Sequence, residues 1–227
     1  MQGKLIFITG TDTGAGKTLF TCMALSHLRS LGVEALGLKP FCSGSRSDAR
    51  HIRTHSHRDL PLQEINPWYF EPPLAPGAMP EKIQVSKQAL MEHIQETRKQ
   101  CDLLLVEGAG GLMSPLGADY HLGHVTEALR PHVVLTAPNK LGVLNQVLLN
   151  VTYLQSFMPT KNIHVVLMGR KNTDLSVKSN AKLLRSWINE CTVLELPYLG
   201  SKAKSTSSVQ HHVAKNKKLL TKALNYS

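Results

Sequence analysis

Residues 10–18 read Gly-Thr-Asp-Thr-Gly-Ala-Gly-Lys-Thr and lie between a short apolar run and the start of a helical pattern. A glycine-rich loop between strand and helix is the context that phosphate binding requires. The glycines let successive backbone N–H groups turn toward one set of oxygens, and the helix N-terminus adds positive potential. Asp12, Thr13, Gly14, Ala15 and Gly16 form the cradle, Lys17 would reach the β- and γ-phosphates of a nucleotide, and the Thr18 hydroxyl would ligate Mg²⁺. Against the general motif the first glycine, Gly10, stands one residue early, so the loop is a lengthened variant.

Two further stretches can serve the same chemistry. Leu103-Leu104-Leu105-Val106-Glu107 is an apolar run closed by an acid and followed by Gly-Ala-Gly-Gly at 108–111. A carboxylate at that strand end can meet Mg²⁺ beside Thr18. Lys39 ends another short apolar run, where its ammonium would project over the same crevice and stabilise a phosphoryl group in transit. Ser43 and Gly44 follow, then Asp48, a further candidate Mg²⁺ ligand.

These side chains need a scaffold, and the hydrophobic pattern supplies one. Buried strands are expected at 4–9, 33–38, 103–106, 132–136, 163–168 and 192–196, and helices at 17–31, 85–99, 141–157 and 176–190. Residues 41–80 hold much of the Pro, Gly and Arg and read as the least regular part. Strands alternating with helices predict an α/β fold, a mainly parallel sheet flanked by helices, in one P-loop domain spanning 1–227. In such sheets ligands sit at the carboxyl ends of the strands.

Composition bounds the partners. The 227 residues carry +10, with 42% hydrophobic and 19% charged residues, which suits a globular core. From Leu196 onward there are six lysines and no acid, which leaves +4 for the rest. A second cluster is Arg46, Arg50, Arg53 and Arg58. The C-terminal lysines lack interleaved aromatics for base stacking, so they read as a solvated tail or helix and no nucleic-acid partner is expected. The Arg cluster flanks Asp48, where it could steer an anionic substrate. His51, His55 and His57 lie close in sequence, yet without an acid or Cys partner they suit a solvated polar helix better than a metal centre. Cys22, Cys42, Cys101 and Cys191 form no C-x-x-C pair and read as small buried thiols. With no signal-like start and no apolar run near the roughly 18 residues of a membrane span, a cytoplasmic chain without a membrane partner is expected.

Together the motifs resemble the dethiobiotin synthetase family: GTDT-x-x-GKT (10–18), KP-x-x-SG (39–44), SDA (47–49), NP-x-x-F-x-x-P (66–73), VEGAGG (106–111), KLG-x-x-N (140–145) and LPYLG (196–200). They occur in the family's order over most of the chain, and the lengthened loop is the family's own form. The resemblance implies a ligase of biotin biosynthesis that uses ATP, CO₂ and 7,8-diaminopelargonate to form dethiobiotin. It implies catalytic Lys17 and Lys39, and Mg²⁺ held by Thr18, Asp48 and Glu107. Nucleotide contacts extend to Arg170, Pro197 and Tyr198, and Thr13, Lys39, Ser43 and Gly110 orient the substrate. It also implies a homodimer, with the substrate carboxylate near the partner's helix start at Leu144 and Asn145. Where the family presents Asn to adenine, this chain has Gly169-Arg170-Lys171-Asn172, so either Asn172 or Arg170 would meet the base. The P-loop pair Gly14-Ala15 also departs from the common pattern.

A nucleotide-switch ATPase of the partitioning or cell-division type is the competing reading, since it shares the expected fold. Such proteins carry an extra lysine early in the loop, where this chain has Thr11-Asp12-Thr13. They also generally lack the KP-x-x-SG stretch.

Overall fold

The computed structural model describes residues 2–226. In chain order the elements are β1 (Lys4–Gly10), α1 (Lys17–Ser30), β2 (Ala35–Leu38), β3 (Phe41–Ser43), α2 (Ser47–His55), α3 (Leu62–Ile65) and β4 (Trp68–Phe70). Then come α4 (Lys87–Arg98), β5 (Leu103–Glu107), α5 (Leu122–Leu129), β6 (His132–Pro138), α6 (Val143–Gln155), β7 (Ile163–Met168), α7 (Val177–Trp187), β8 (Thr192–Leu196) and α8 (Thr206–Leu224).

Six strands form one parallel sheet in the order β2-β5-β1-β6-β7-β8. Helices cover both faces of such a sheet, so its central strands read as continuous apolar runs; all five residues of β5 are buried. The chain leaves β1 toward β2 on one side and later crosses to β6 on the other, so the strand order reverses at β1. Ligand crevices open at the carboxyl ends of strands at such a reversal. Ile8 of β1 pairs with Glu107, and Leu38 of β2 pairs with Val106. The register therefore brings Gly10, Lys39 and Glu107 to the same edge.

Several element bounds differ from the sequence expectation. β2 starts at Ala35, because Val33 N–H donates to Leu28 O and closes the end of α1. β5 runs on to Glu107 and β6 to Pro138, which pairs with Met168. The stretch 41–80 is more regular than expected: β3 and β4 pair in parallel, Phe41 opposite Trp68 and Ser43 opposite Phe70. The helix α5 was not legible in the sequence.

The basic C-terminus takes the second of its two expected forms, a helix, and a packed one: α8 buries Val209, Val213, Leu220, Ala223 and Leu224 and packs along α1. Each fully buried Val or Leu contributes about 1.5–3 kcal/mol, while the lysines project from the opposite face. Among the described residues, no helix is long and apolar enough to cross a membrane.

Candidate active site

The phosphate loop takes its shape from its glycines. Gly16 caps α1 at φ 91°, and a Cβ there would lie 2.8 Å from the Met168 methyl, so the position excludes a side chain twice over. The loop is tied to the sheet by Thr11 N–H donating to Thr136 O at 3.0 Å. Lys17 is 7% exposed and folds back to donate to Asp12 O at 2.9 Å. Burial, helped by nearby Lys39 and opposed by Glu107, Asp48 and Asp12, pushes the Lys17 ammonium down to about 8. A buried cation with one carbonyl partner suits an incoming phosphate oxygen.

Glu107, 1% exposed, is the hub of the site. Its Oε1 accepts from Thr18 Oγ1 and from Lys39 Nζ, both at 2.8 Å, and its Oε2 accepts from Thr21 Oγ1 at 2.8 Å. Lys39 also donates to Gly108 O at 2.7 Å. Burial lowers the Lys39 pKa, but the Glu107 carboxylate, joined by Asp48 and Cys42, outweighs it and raises the pKa on balance. Lys39 is thus a fixed positive charge.

Asp48 sits in the first turn of α2, where the helix dipole favours an anion. Burial would raise its pKa, but Lys204, Lys39 and the Thr18 hydroxyl together lower it. Thr18 therefore adjoins both carboxylates. One hydroxyl and two carboxylates are a hard-oxygen set of the kind Mg²⁺ accepts, with phosphates and water completing the shell. The arrangement fits a nucleotide-borne cation, since among the described residues no group of three or more His, Cys, Asp and Glu could hold a metal unaided.

Two cavities meet here. One, of about 210 Å³, is lined by Gly14, Gly16, Lys17, Thr18 and Lys204. The other, of about 350 Å³, is lined by Ser43, Ser45, Ser114, Phe41 and the Pro73–Pro76 turn. Thr13, Lys39, Asp48 and Gly110 belong to both. A phosphate chain on one side and a smaller substrate on the other would share these four residues.

Local structure explains the flanking motifs. Asn66, fully buried, donates to Lys39 O at 2.8 Å and Pro40 O at 3.1 Å, which pins the backbone that carries Lys39. Arg46 holds Asn66 in turn, its Nε donating to Oδ1 at 2.9 Å. At the far end of the P-loop, Met168 packs on Gly16, and the next residue, Gly169, lies against the Pro197–Tyr198 backbone. Arg170, Pro197 and Tyr198 are exposed along that edge.

Some expectations are not met. The Arg46–Arg58 cluster does not face the site as a group: Arg46 serves Asn66, Arg53 pairs with Asp59 at 2.6 Å and Arg58 donates to Gln100 O. Among the described residues only Arg50 of the four has no such partner. The three histidines have separate partners. His51 bonds Ser47 O, His55 bonds Ser26, and His57 lies 3.9 Å from Glu34. Leu144 and Asn145, expected to serve the site of a partner subunit, lie away from both cavities of this chain, and Leu144 borders an apolar groove with Leu148, Leu183, Leu184 and Trp187. The four cysteines are free and buried, as expected. Thr21, Ser45, Ser114 and Lys204 were missed. Thr21 lies one helical turn after Lys17, a spacing that could have flagged it, whereas Lys204 carries no local signal.

Comparison with known proteins agrees with this geometry. The AAA domain family model matches residues 4–205. The ATP-dependent dethiobiotin synthetase BioD of Bacillus velezensis is 32% identical, covering 94% of each chain. That of Cellvibrio japonicus is 36% identical over 69% of this chain and 73% of its own. For the fold alone, pNOB8 ParA bound to nonspecific DNA superposes with a TM-score of 0.58 at 13% identity, covering 99% of this chain and 100% of that one. MinD cell division protein of Aquifex aeolicus gives 0.55 at 16% identity, covering 98% and 95%. The switch-ATPase likeness is thus one of fold, and the sequence relationship lies elsewhere. The chain belongs to the ATP-dependent dethiobiotin synthetase family.

Proposed function

We propose that this chain is an ATP-dependent dethiobiotin synthetase, built as a single P-loop domain, and that the two joined cavities divide its substrates. MgATP occupies the P-loop side, and the carbamate of 7,8-diaminopelargonate, formed with CO₂, occupies the side lined by Ser43. The observation that carries the reading is the sharing of Thr13, Lys39, Asp48 and Gly110 between the two cavities.

The reaction joins two anions, so fixed positive charge between them is the main requirement. Lys39 lies on the shared wall and holds its proton, so it can face the carbamate and the γ-phosphate together. Lys17, released from Asp12 O, binds the β- and γ-phosphates. A carbamate oxygen then attacks the γ-phosphorus and ADP departs, leaving a carbamic–phosphoric anhydride. The second amine attacks the carbonyl carbon, phosphate leaves and the ureido ring closes. Thr13, Ser43 and the Gly110 backbone hold the amine and carbamate end in line, which is where positioning contributes most. Thr18, Asp48 and Glu107 would hold Mg²⁺, whose chemistry is to neutralise charge building on the phosphate oxygens. Arg170, Pro197 and Tyr198 line the base end of the nucleotide.

We read the protein as a homodimer. Leu141, Leu149 and Trp187 are 77%, 64% and 73% exposed beside the apolar groove of α6 and α7. An apolar surface of this kind needs covering. A second copy would bring the start of α6, with Leu144 and Asn145, toward the substrate carboxylate. No nucleic-acid or membrane partner is part of this reading, and the buried free thiols suit a reducing, cytoplasmic compartment. The test is incorporation of label from bicarbonate into the ureido carbon of dethiobiotin, dependent on ATP and the diamine. Product without label, or none at all, would contradict it.

A further inference from the structure

Asp48 already has a cationic partner that the reaction scheme does not use. Lys204 Nζ donates to Asp48 Oδ1 at 3.0 Å across 156 residues of sequence. The two side chains are 45% and 36% exposed, so the pair closes the mouth of the P-loop cavity rather than its floor. An exposed pair of this kind is held weakly, which leaves the ammonium free to change partners. Its root is not free. Ala203 is buried, Ser205 N–H donates to Lys202 O at 3.1 Å, and Val209 N–H to Ser205 O at 2.8 Å. That turn starts α8, which packs on α1, the helix that the P-loop opens. A long flexible stem on a fixed base therefore reaches a cavity wall made of Gly14, Gly16, Lys17 and Thr18.

We propose that Lys204 is a third phosphate-contacting cation, resting on Asp48 in the nucleotide-free enzyme and passing to the terminal phosphate when a divalent cation takes Asp48. The inference rests on the reading of this cavity as the metal–nucleotide site. A divalent cation at the half-exposed Asp48 neutralises the carboxylate and repels the ammonium, whose flexible stem lets it leave, so arrival of the metal nucleotide frees Lys204. The same event brings a dense anion into reach of its stem. The segment 197–205 then spans the nucleotide, with Pro197 and Tyr198 at the base end and Lys204 at the phosphate end.

Wild type, Lys204→Met and Lys204→Arg would be compared by Mn²⁺ titration without nucleotide, followed by electron paramagnetic resonance. Calorimetry with Mg²⁺ and either ADP or a non-hydrolysable imido analogue of ATP completes the set. Lys204→Met should bind free Mn²⁺ more tightly, because its competitor for Asp48 is gone. It should bind the triphosphate analogue about tenfold more weakly, with ADP much less affected, and Lys204→Arg should recover most of the loss. Free Mn²⁺ affinity that does not rise, unchanged analogue affinity, or equal losses for ADP and the analogue would each overturn the proposal. If wild type binds no magnesium nucleotide, the reading of the cavity fails. If wild type binds and Lys204→Met binds identically, only the role of Lys204 fails.

Discussion

Lys39 Nζ and Glu107 Oε1 lie 2.8 Å apart with side chains 7% and 0% exposed, and the same carboxylate oxygen accepts the Thr18 hydroxyl. The ion pair therefore joins a residue read as catalytic to one read as a metal ligand, inside the protein. Removing one member of a buried pair strands the other, at a cost of about 3–5 kcal/mol. Lys39→Met should abolish turnover and also lower stability by roughly that amount. The double variant Lys39→Met, Glu107→Leu should recover much of the stability and none of the activity. Urea unfolding of the three proteins checks this, and a Lys39→Met protein as stable as wild type would contradict it.

Lys17 makes a different prediction, about pH. Its pKa falls from 10.5 to about 8, chiefly through burial. Below pH 8 both folded and unfolded chains hold the proton, and the folded state carries the full penalty. Between about 8 and 10.5 the unfolded chain keeps the proton while the folded one loses it, so the penalty is relieved as pH rises. Without nucleotide, Lys17→Met should be about 1–3 kcal/mol more stable than wild type at pH 7, although inactive. That advantage should shrink as pH climbs through the window. Thermal melts at several pH values test it; a constant gap, or a less stable variant, would refute the assignment.

Asn66 touches neither cavity, yet it holds the backbone carbonyls of Lys39 and Pro40. Asn66→Ala should destabilise by about 1–3 kcal/mol, because it leaves the buried Lys39 carbonyl without its donor and takes one of three acceptors from Arg46. It should also lower kcat through misplacement of Lys39. Steady-state kinetics with a melting curve would separate this from an inert substitution, for which kcat stays at the wild-type value.

The exposed apolar face of α6 and α7 predicts the assembly. Replacing Leu149 and Trp187 with lysine should turn a dimer into monomers and raise the KM for the diamine more than that for ATP. Sedimentation analysis provides the readout. A monomeric wild-type protein, or a dimer indifferent to both changes, would place the interface elsewhere or remove it.

How much of this was legible beforehand depended on the range of the interaction. The central strands were readable because a parallel sheet buries both faces, so 103–106 and 165–168 appear as unbroken apolar runs. The P-loop, Glu107 and Lys39 were readable because glycines and strand ends mark each of them locally, whereas Asp48 rested on its place after Lys39 and on the family resemblance. β3 and β4 are three residues long and α3 is four, too short for a period to show. In α8 the apolar positions are there, but the lysines between them hide the stripe. Lys204 was beyond sequence reasoning, because its significance lies in a contact with Asp48 that only the fold creates. The basic surplus is thereby resolved into parts: arginines that brace the α2 region, lysines on the outer face of α8, and one ammonium at the site.

The central claim is that nucleotide chemistry here is coupled to a diamine and CO₂. The most direct measurement is ADP release by the purified protein with MgATP and bicarbonate, with and without 7,8-diaminopelargonate. The account predicts negligible ADP without the diamine, and with it one ADP for each dethiobiotin formed. ADP release that proceeds at the same rate whether or not the diamine is present would contradict it.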